Sequence, residues 1–142
     1  MLAGLSIPDA AGLAGHSDAD VVTHALIDAL LGAAALGTIG EHFPDDDPAW
    51  EGVSSIELLE RTCALLKAAS MEVVNVDAVI IAQTPRLQPH LGQMRANLAR
   101  TLGVDARAVG LKAKSPESLG HLGRGEALVA QVVALLRRAS AS

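Results

Sequence analysis

Residues 16–37 read HSDADVVTHALIDALLGAAALG, a polar cluster that runs into an alanine- and leucine-rich stretch. Asp20, His24 and Asp28 fall four residues apart, so on a helix they share one stripe as carboxylate, imidazole and carboxylate. Such a stripe is either a metal-binding surface or a solvated ion-pair face. One histidine falls short of the three or four ligands that zinc requires. His16 stands just ahead of the helix, whose start Ser17 or Asp18 can cap, with Ser17 and Asp20 spaced as in a capping box. Free N–H groups and the positive end of the dipole favour an anion there. The chemistry on offer is a metal and a phosphate held side by side. A second polar segment, residues 38–52, sets Asp45, Asp46 and Asp47 between Pro44 and Pro48, with Phe43 and Trp50 outside them. It is either a turn-rich surface connection or a place where carboxylates hold a cation or accept from sugar hydroxyls. A third, SPESLGHLGRGEA at residues 115–127, is polar and rich in glycine.

The elements that must position these groups can be read in order. Residues 1–8 form a short apolar run with the character of a strand. A helix follows the first polar cluster and ends near Gly37, a normal place for a terminating glycine. A second helix starts at the Ser54/Glu57 capping box and buries Ile56, Leu59, Cys63 and Leu66. Residues 73–83, VVNVDAVIIAQ, are a strand rich in β-branched side chains. Val74, Val76, Ala78, Ile80 and Ala82 lie on one face, and Asn75, Asp77, Val79, Ile81 and Gln83 on the other. Residues 90–103 return to helical spacing with Leu91, Met94, Leu98 and Leu102 inward, residues 109–114 are a further strand, and residues 127–138 are expected to be the last helix. Arg137 and Arg138 would then suit its C-terminal dipole. The expected fold is α+β, a small mixed β-sheet with helices packed on one face, in a single domain over residues 1–142. Apolar residues on both faces of the 73–83 strand favour oligomerisation.

Composition narrows the function. Half of the 142 residues are apolar, yet there is one Phe, one Trp and no Tyr, so the core is aliphatic. With a net charge of −5 and scattered basic residues, no nucleic-acid partner is expected. No apolar run is long enough to span a bilayer and no basic leader is seen, so a cytoplasmic location without membrane partners is the expectation. The lone Cys63 cannot form an internal disulfide and reads as a small core residue rather than a nucleophile.

Four blocks, AGHSDADVVTHALIDALLGAAALG, IGEHFPDDDP, NVDAVIIAQTPRLQPH and LKAKSPESLGHLGRGEA, occur in this order. The chain thereby resembles, over nearly its whole length, the 2-C-methyl-D-erythritol 2,4-cyclodiphosphate synthase family. The resemblance implies a homotrimer with active sites between subunits, and a substrate, 4-diphosphocytidyl-2-C-methyl-D-erythritol 2-phosphate, that cyclises with release of CMP. It also implies divalent metals, zinc and magnesium. By matching position, His24 is a zinc ligand and His16 with Ser17 approaches the phosphates. Thr38, Ile39, Gly40, Phe43, Pro44, Asp45, Asp46 and Asp47 line the methylerythritol pocket. Ala82, Gln83, Thr84, Pro85, Arg86, Leu87 and Gln88 cradle cytidine. Lys114, Ser115, Pro116 and Glu117 meet the cytidyl phosphates from the neighbouring subunit, Glu117 through magnesium. His16 and Ser115 are the implied catalytic pair. His121 and Arg124 belong to a loop near the trimer axis, where an isoprenoid phosphate is the implied ligand.

The departures from the pattern set further expectations. Thr38 stands where the family has aspartate, His121 where an aromatic residue is frequent, and KAKS replaces a threonine-rich loop. The family's opening strand carries an Asp-x-His pair of zinc ligands, and Met1 aligns inside the next strand. The reading therefore expects a chain shortened at its start, with zinc weak or absent and poor turnover. The favoured explanation is that Met1 is an internal methionine of a longer synthase. Two alternatives stand beside it: an impaired homologue that acts as a trimeric cytidine-nucleotide or isoprenoid-phosphate binder, and a phosphate-binding module with no enzymatic role.

Overall fold

The computed structural model describes residues 1–8, 20–83, 85–123 and 128–140. Helix α1 (Val21–Ala33) begins at Asp20, whose side chain accepts from the Thr23 backbone N–H. The cap is therefore Asp20. Ser17 and Asp18 lie outside the described residues. Asp20 is fully buried, so it is no part of a solvated stripe. The helix stops short of Gly37 because the chain turns at Ala34 and Ala35. Ala35 N–H bonds the Gly32 carbonyl at 3.0 Å and Leu36 N–H bonds that of Leu31 at 2.8 Å, a Schellman closure. Ala35 takes φ +57° there, a conformation that glycine adopts without a Cβ penalty. Ala35→Gly is expected to raise stability by about 0.5–1 kcal/mol, read as a higher urea midpoint at unchanged slope.

Helix α2 (Ile39–His42) is a single turn capped by Thr38. Helix α3 (Ser55–Ala68) starts at Ser54, which accepts from Glu57 N–H at 3.1 Å as the capping box requires. Its buried face is Leu58, Leu59, Thr62 and Leu66, while Ile56 and Cys63 are half-buried at its margin. Strand β1 (Met71–Ile81) follows, then α4 (Leu91–Leu102), which ends on Gly103 at φ +70°. Strand β2 (Val109–Lys114), the short α5 (Gly120–Gly123) and β3 (Val129–Arg138) complete the order. Arg95 of α4 donates to the carbonyls of Val109 and Ala106 at 3.0 Å each and so pins the helix to the start of β2.

The sheet runs β2–β1–β3, with β2 parallel and β3 antiparallel to β1. Val76, Ala78 and Ile80 of β1 are buried on the side of α1, α3 and α4, where the core collects Leu26, Ile27, Leu30, Leu59, Met94 and Leu98. The mixed sheet with helices on one face is thus the observed architecture.

Two sequence-based assignments change. Residues 127–138 do not make a helix: from Val129 on they are β3. Leu, Ala, Gln and Arg favour a helix locally, but pairing along the whole of β1 overrides that preference. Ala130, Val132, Ala134 and Leu136 then pack inward, and Val133 and Leu135 stand 74% and 54% exposed on the far face. Arg137 caps no dipole and instead pairs with Glu72 across the strands. Residues 1–8 are not a strand but a tight turn with one bridge, Leu2 to Leu5. Asp20 takes the N–H groups of Ala3 and Gly4 there.

Candidate active site

Parallel pairing brings the C-terminal ends of β1 and β2 to one edge of the sheet. Ile81 lies opposite Lys114, and the Ala82 N–H bonds the Lys114 carbonyl at 3.1 Å. Both chains then leave as loops, and a crevice opens where open α/β sheets bind ligands. A cavity of about 330 Å³ lies here, lined by Ile80, Ala82, Gln83, Pro85, Arg86, Leu87, Gln88, Ala113, Lys114 and Ser115. Leu87 is buried and anchors the first loop, while Arg86 and Lys114 remain exposed at the rim. Two cations beside backbone groups suit a phosphorylated ligand.

The second loop is held in a defined turn. Ser115 Oγ accepts from Glu117 N–H at 3.0 Å, and Gln83 Oε1 accepts from Ser118 N–H at 2.8 Å. Glu117 and Ser118 both take left-handed conformations, at φ +55° and +63°. Gly123 closes against this turn so tightly that a Cβ would lie 2.0 Å from the Ser118 carbonyl carbon. Lys114 and Ser115 therefore share the cavity with the first loop of their own chain, where the sequence reading places them across a subunit boundary.

Among the described residues, His24 and Thr38 to Asp47 form a group apart from this cavity, on α1 and the segment that follows it. His24 Nε2 lies 2.8 Å from Ser55 Oγ, with Ser55 fully buried at the start of α3. Asp28 Oδ1 accepts from Ile39 N–H at 2.7 Å and fixes the segment that carries Thr38, Ile39 and Gly40. His42 Nε2 donates to the Leu36 carbonyl at 2.7 Å. Phe43 is buried edge-on to Trp50 at 5.0 Å, and the Arg61 guanidinium covers that indole at 5.1 Å. The three aspartates divide: Asp47 caps the turn Pro48–Trp50 through Ala49 N–H, while Asp45 and Asp46 stay exposed beyond half-buried Pro44. His16, Ser17, Thr84 and Arg124 lie outside the described residues, as does the side chain of His121. Burial, and then the Glu60 charge, push the Cys63 thiol up to about 11, so it stays a protonated packing group.

A family model described as the YgbB family matches residues 1–137. The chain belongs to that family. The 2-C-methyl-D-erythritol 2,4-cyclodiphosphate synthase of Bordetella petrii is 54% identical over 140 residues, covering 99% of this chain and 86% of that protein. The bifunctional IspDF of Campylobacter jejuni superposes with a TM-score of 0.92 at 38% identity, covering 97% of this chain and 37% of its own. A CDP-bound form of 2C-methyl-D-erythritol-2,4-cyclodiphosphate synthase gives 0.88 at 36% identity, covering 96% of this chain and 89% of its own.

For this YgbB-family chain, the metals implied by the resemblance can be weighed against its donors. Among the described residues no three His, Cys, Asp or Glu side chains come together. His24 alone cannot make a zinc centre, so the described residues do not fit that ion. Magnesium asks less of a protein, because one carboxylate, waters and substrate phosphates complete its shell. Exposed Glu117, whose N–H bonds the hydroxyl of cavity-lining Ser115, fits that demand. No helix among the described residues is long and apolar enough to cross a membrane.

Three side-chain contacts here are not legible in the sequence. Asp20 was placed on the helix face and is a buried tether. Ser55 follows the capping Ser54, and nothing in the sequence distinguishes the serine that caps from the one that meets His24. Gln83 is expected to meet the nucleotide through its loop's backbone, and its side-chain oxygen is free of that role and accepts from Ser118 N–H.

Proposed function

We propose that this chain cyclises 4-diphosphocytidyl-2-C-methyl-D-erythritol 2-phosphate to 2-C-methyl-D-erythritol 2,4-cyclodiphosphate and releases CMP. The observation that carries the reading is the convergence of Ala82, Gln83, Pro85, Arg86, Leu87 and Gln88 with Lys114 and Ser115 around one cavity at the ends of β1 and β2. Cytosine needs acceptors for its amine and donors for its O2, which backbone groups held by Pro85 and buried Leu87 offer. Thr84 belongs to the same loop in this reading.

An oxygen of the 2-phosphate forms a bond to the phosphorus nearer erythritol. The bond from that phosphorus to the bridging oxygen breaks, and the electron pair leaves with CMP. Both reacting groups belong to one molecule, so the protein's work is to fold it and to neutralise charge. Lys114 and Arg86 meet the phosphates, and the Ser115 hydroxyl, together with His16, donates to the charge on the oxygens of the reacting phosphoryl group. Magnesium at Glu117 neutralises the diphosphate when bound; no step is routed through zinc. Thr38, Ile39, Gly40, Pro44, Asp45, Asp46 and Asp47 belong to the methylerythritol half, with Phe43 as its packed floor, and Ser17 stays with His16 at the phosphates.

That half and the cavity are separate groups on one chain. Apposition of two copies completes the site, and we assign the chain to a homotrimer in which Val133 and Leu135 of the outer sheet face find cover. In this reading Pro116 belongs with Ser115 and Glu117 at the phosphates, and His121 and Arg124 belong to the loop near the shared axis.

The test is product analysis by phosphorus NMR with magnesium and substrate. CMP and the cyclic diphosphate should appear in equal amounts, at whatever rate the 142-residue chain sustains. CMP accompanied by the linear 2,4-bisphosphate would mean that water, not the 2-phosphate, attacks.

A further inference from the structure

We propose that Gln83 is a positioning residue. Its side chain locks the Ser115–Glu117–Ser118 turn to the loop that follows β1, and it does not read the bound base. The inference rests on the cytidine reading above for its functional consequence, and on geometry alone for the link itself.

Gln83 is half-buried just past the end of β1, and its Oε1 accepts from Ser118 N–H at 2.8 Å across 35 residues of sequence. A backbone N–H can bond only the oxygen of this amide, so the orientation of the group is fixed and its NH2 points away from the turn. Glu117 and Ser118 are successive non-glycine residues at positive φ, which persist only when their surroundings hold them. Each has its N–H caught by a side chain. The hydroxyl of Ser115 takes that of Glu117 from within the turn, and Gln83 takes that of Ser118 from the neighbouring strand end. Gly123 blocks the turn from behind. Gln83 is thus the one described side chain from the base loop bonded to this turn. It ties the segment that would hold a nucleoside to the segment that would hold a diphosphate and its cation.

Two variants separate positioning from recognition. Gln83→Leu keeps the approximate bulk and loses the acceptor; Gln83→Glu loses the NH2 and keeps an acceptor oxygen at the same reach. In the unliganded protein, Ser118 amide hydrogen exchange should speed up roughly 3- to 10-fold in Gln83→Leu and stay near the parent rate in Gln83→Glu. In Gln83→Leu, magnesium-dependent CDP affinity should fall by a similar factor while CMP affinity changes less than about 2-fold. Loss of CMP affinity as large as that of CDP would assign Gln83 to the base and overturn the proposal. Unchanged Ser118 exchange in Gln83→Leu would overturn it as well. If the parent chain bound neither nucleotide while Ser118 exchange still followed the acceptor, the link would stand and the cytidine reading would fall.

Discussion

Replacing Asp20 with alanine is expected to destabilise the protein by about 3–5 kcal/mol, a large part of the total stability of an ordinary domain. The carboxylate is fully buried, and each oxygen accepts two bonds from the described residues. Oδ1 accepts from the N–H groups of Ala3 and Thr23 at 2.8 and 3.0 Å, and Oδ2 from Gly4 N–H and Thr23 Oγ1 at 2.8 Å each. Loss of the helix cap alone costs about 1 kcal/mol. The remainder comes from the Ala3 and Gly4 donors, which lose their acceptor in a place where Ala3 is sealed from water. Asp20→Asn keeps one acceptor oxygen and should lose about half as much. Thermal unfolding decides it: the alanine variant should melt roughly 10 °C lower, with asparagine between it and the parent. Equal melting of all three would mean that the turn at Ala3 and Gly4 does not depend on this side chain.

The second large effect is on rate. Ser115→Ala should lower kcat by about 100-fold while CMP affinity changes less than about 2-fold, because a donor aimed at developing charge matters in the transition state and little in the bound product. The Ser115 oxygen accepts from Glu117 N–H, which leaves its own proton to donate toward the cavity. Ser115→Thr keeps that proton and should restore most of the rate. Single-turnover kinetics with parallel calorimetry separates the two quantities. A fall in CMP affinity matching the fall in kcat would make Ser115 a binding residue.

Much of the scaffold was legible in the sequence because local and long-range preferences agree in it. Ser54 and Glu57 announce the start of α3, and β1 alternates in step with its burial from Asn75 on, whereas a register shift between Val73 and Asn75 sets Val73, not the expected Val74, against the core. The two loops that flank the cavity carry their chemistry in composition alone. The failures have a common cause. Residues 129–138 are locally helical in taste, and their strand conformation comes from partners in β1 that lie 48 to 67 residues earlier. Asp20 reads as one member of a polar stripe, but the turn at Ala3 and Gly4 converts it into an internal acceptor. Ser55 and Gln83 owe their roles to contacts across 31 and 35 residues, which no spacing rule encodes.

The central claim is that the loops after β1 and β2 form a cytidine site. Calorimetric titration of the protein with CMP, UMP and AMP in magnesium tests it most directly. Uridine presents an acceptor and an N–H where cytosine presents an amine and an acceptor, so the pocket that fits one leaves polar groups unpaired against the other. CMP should bind at least about 10-fold more tightly than UMP or AMP. Equal affinity for the three nucleotides would contradict the claim.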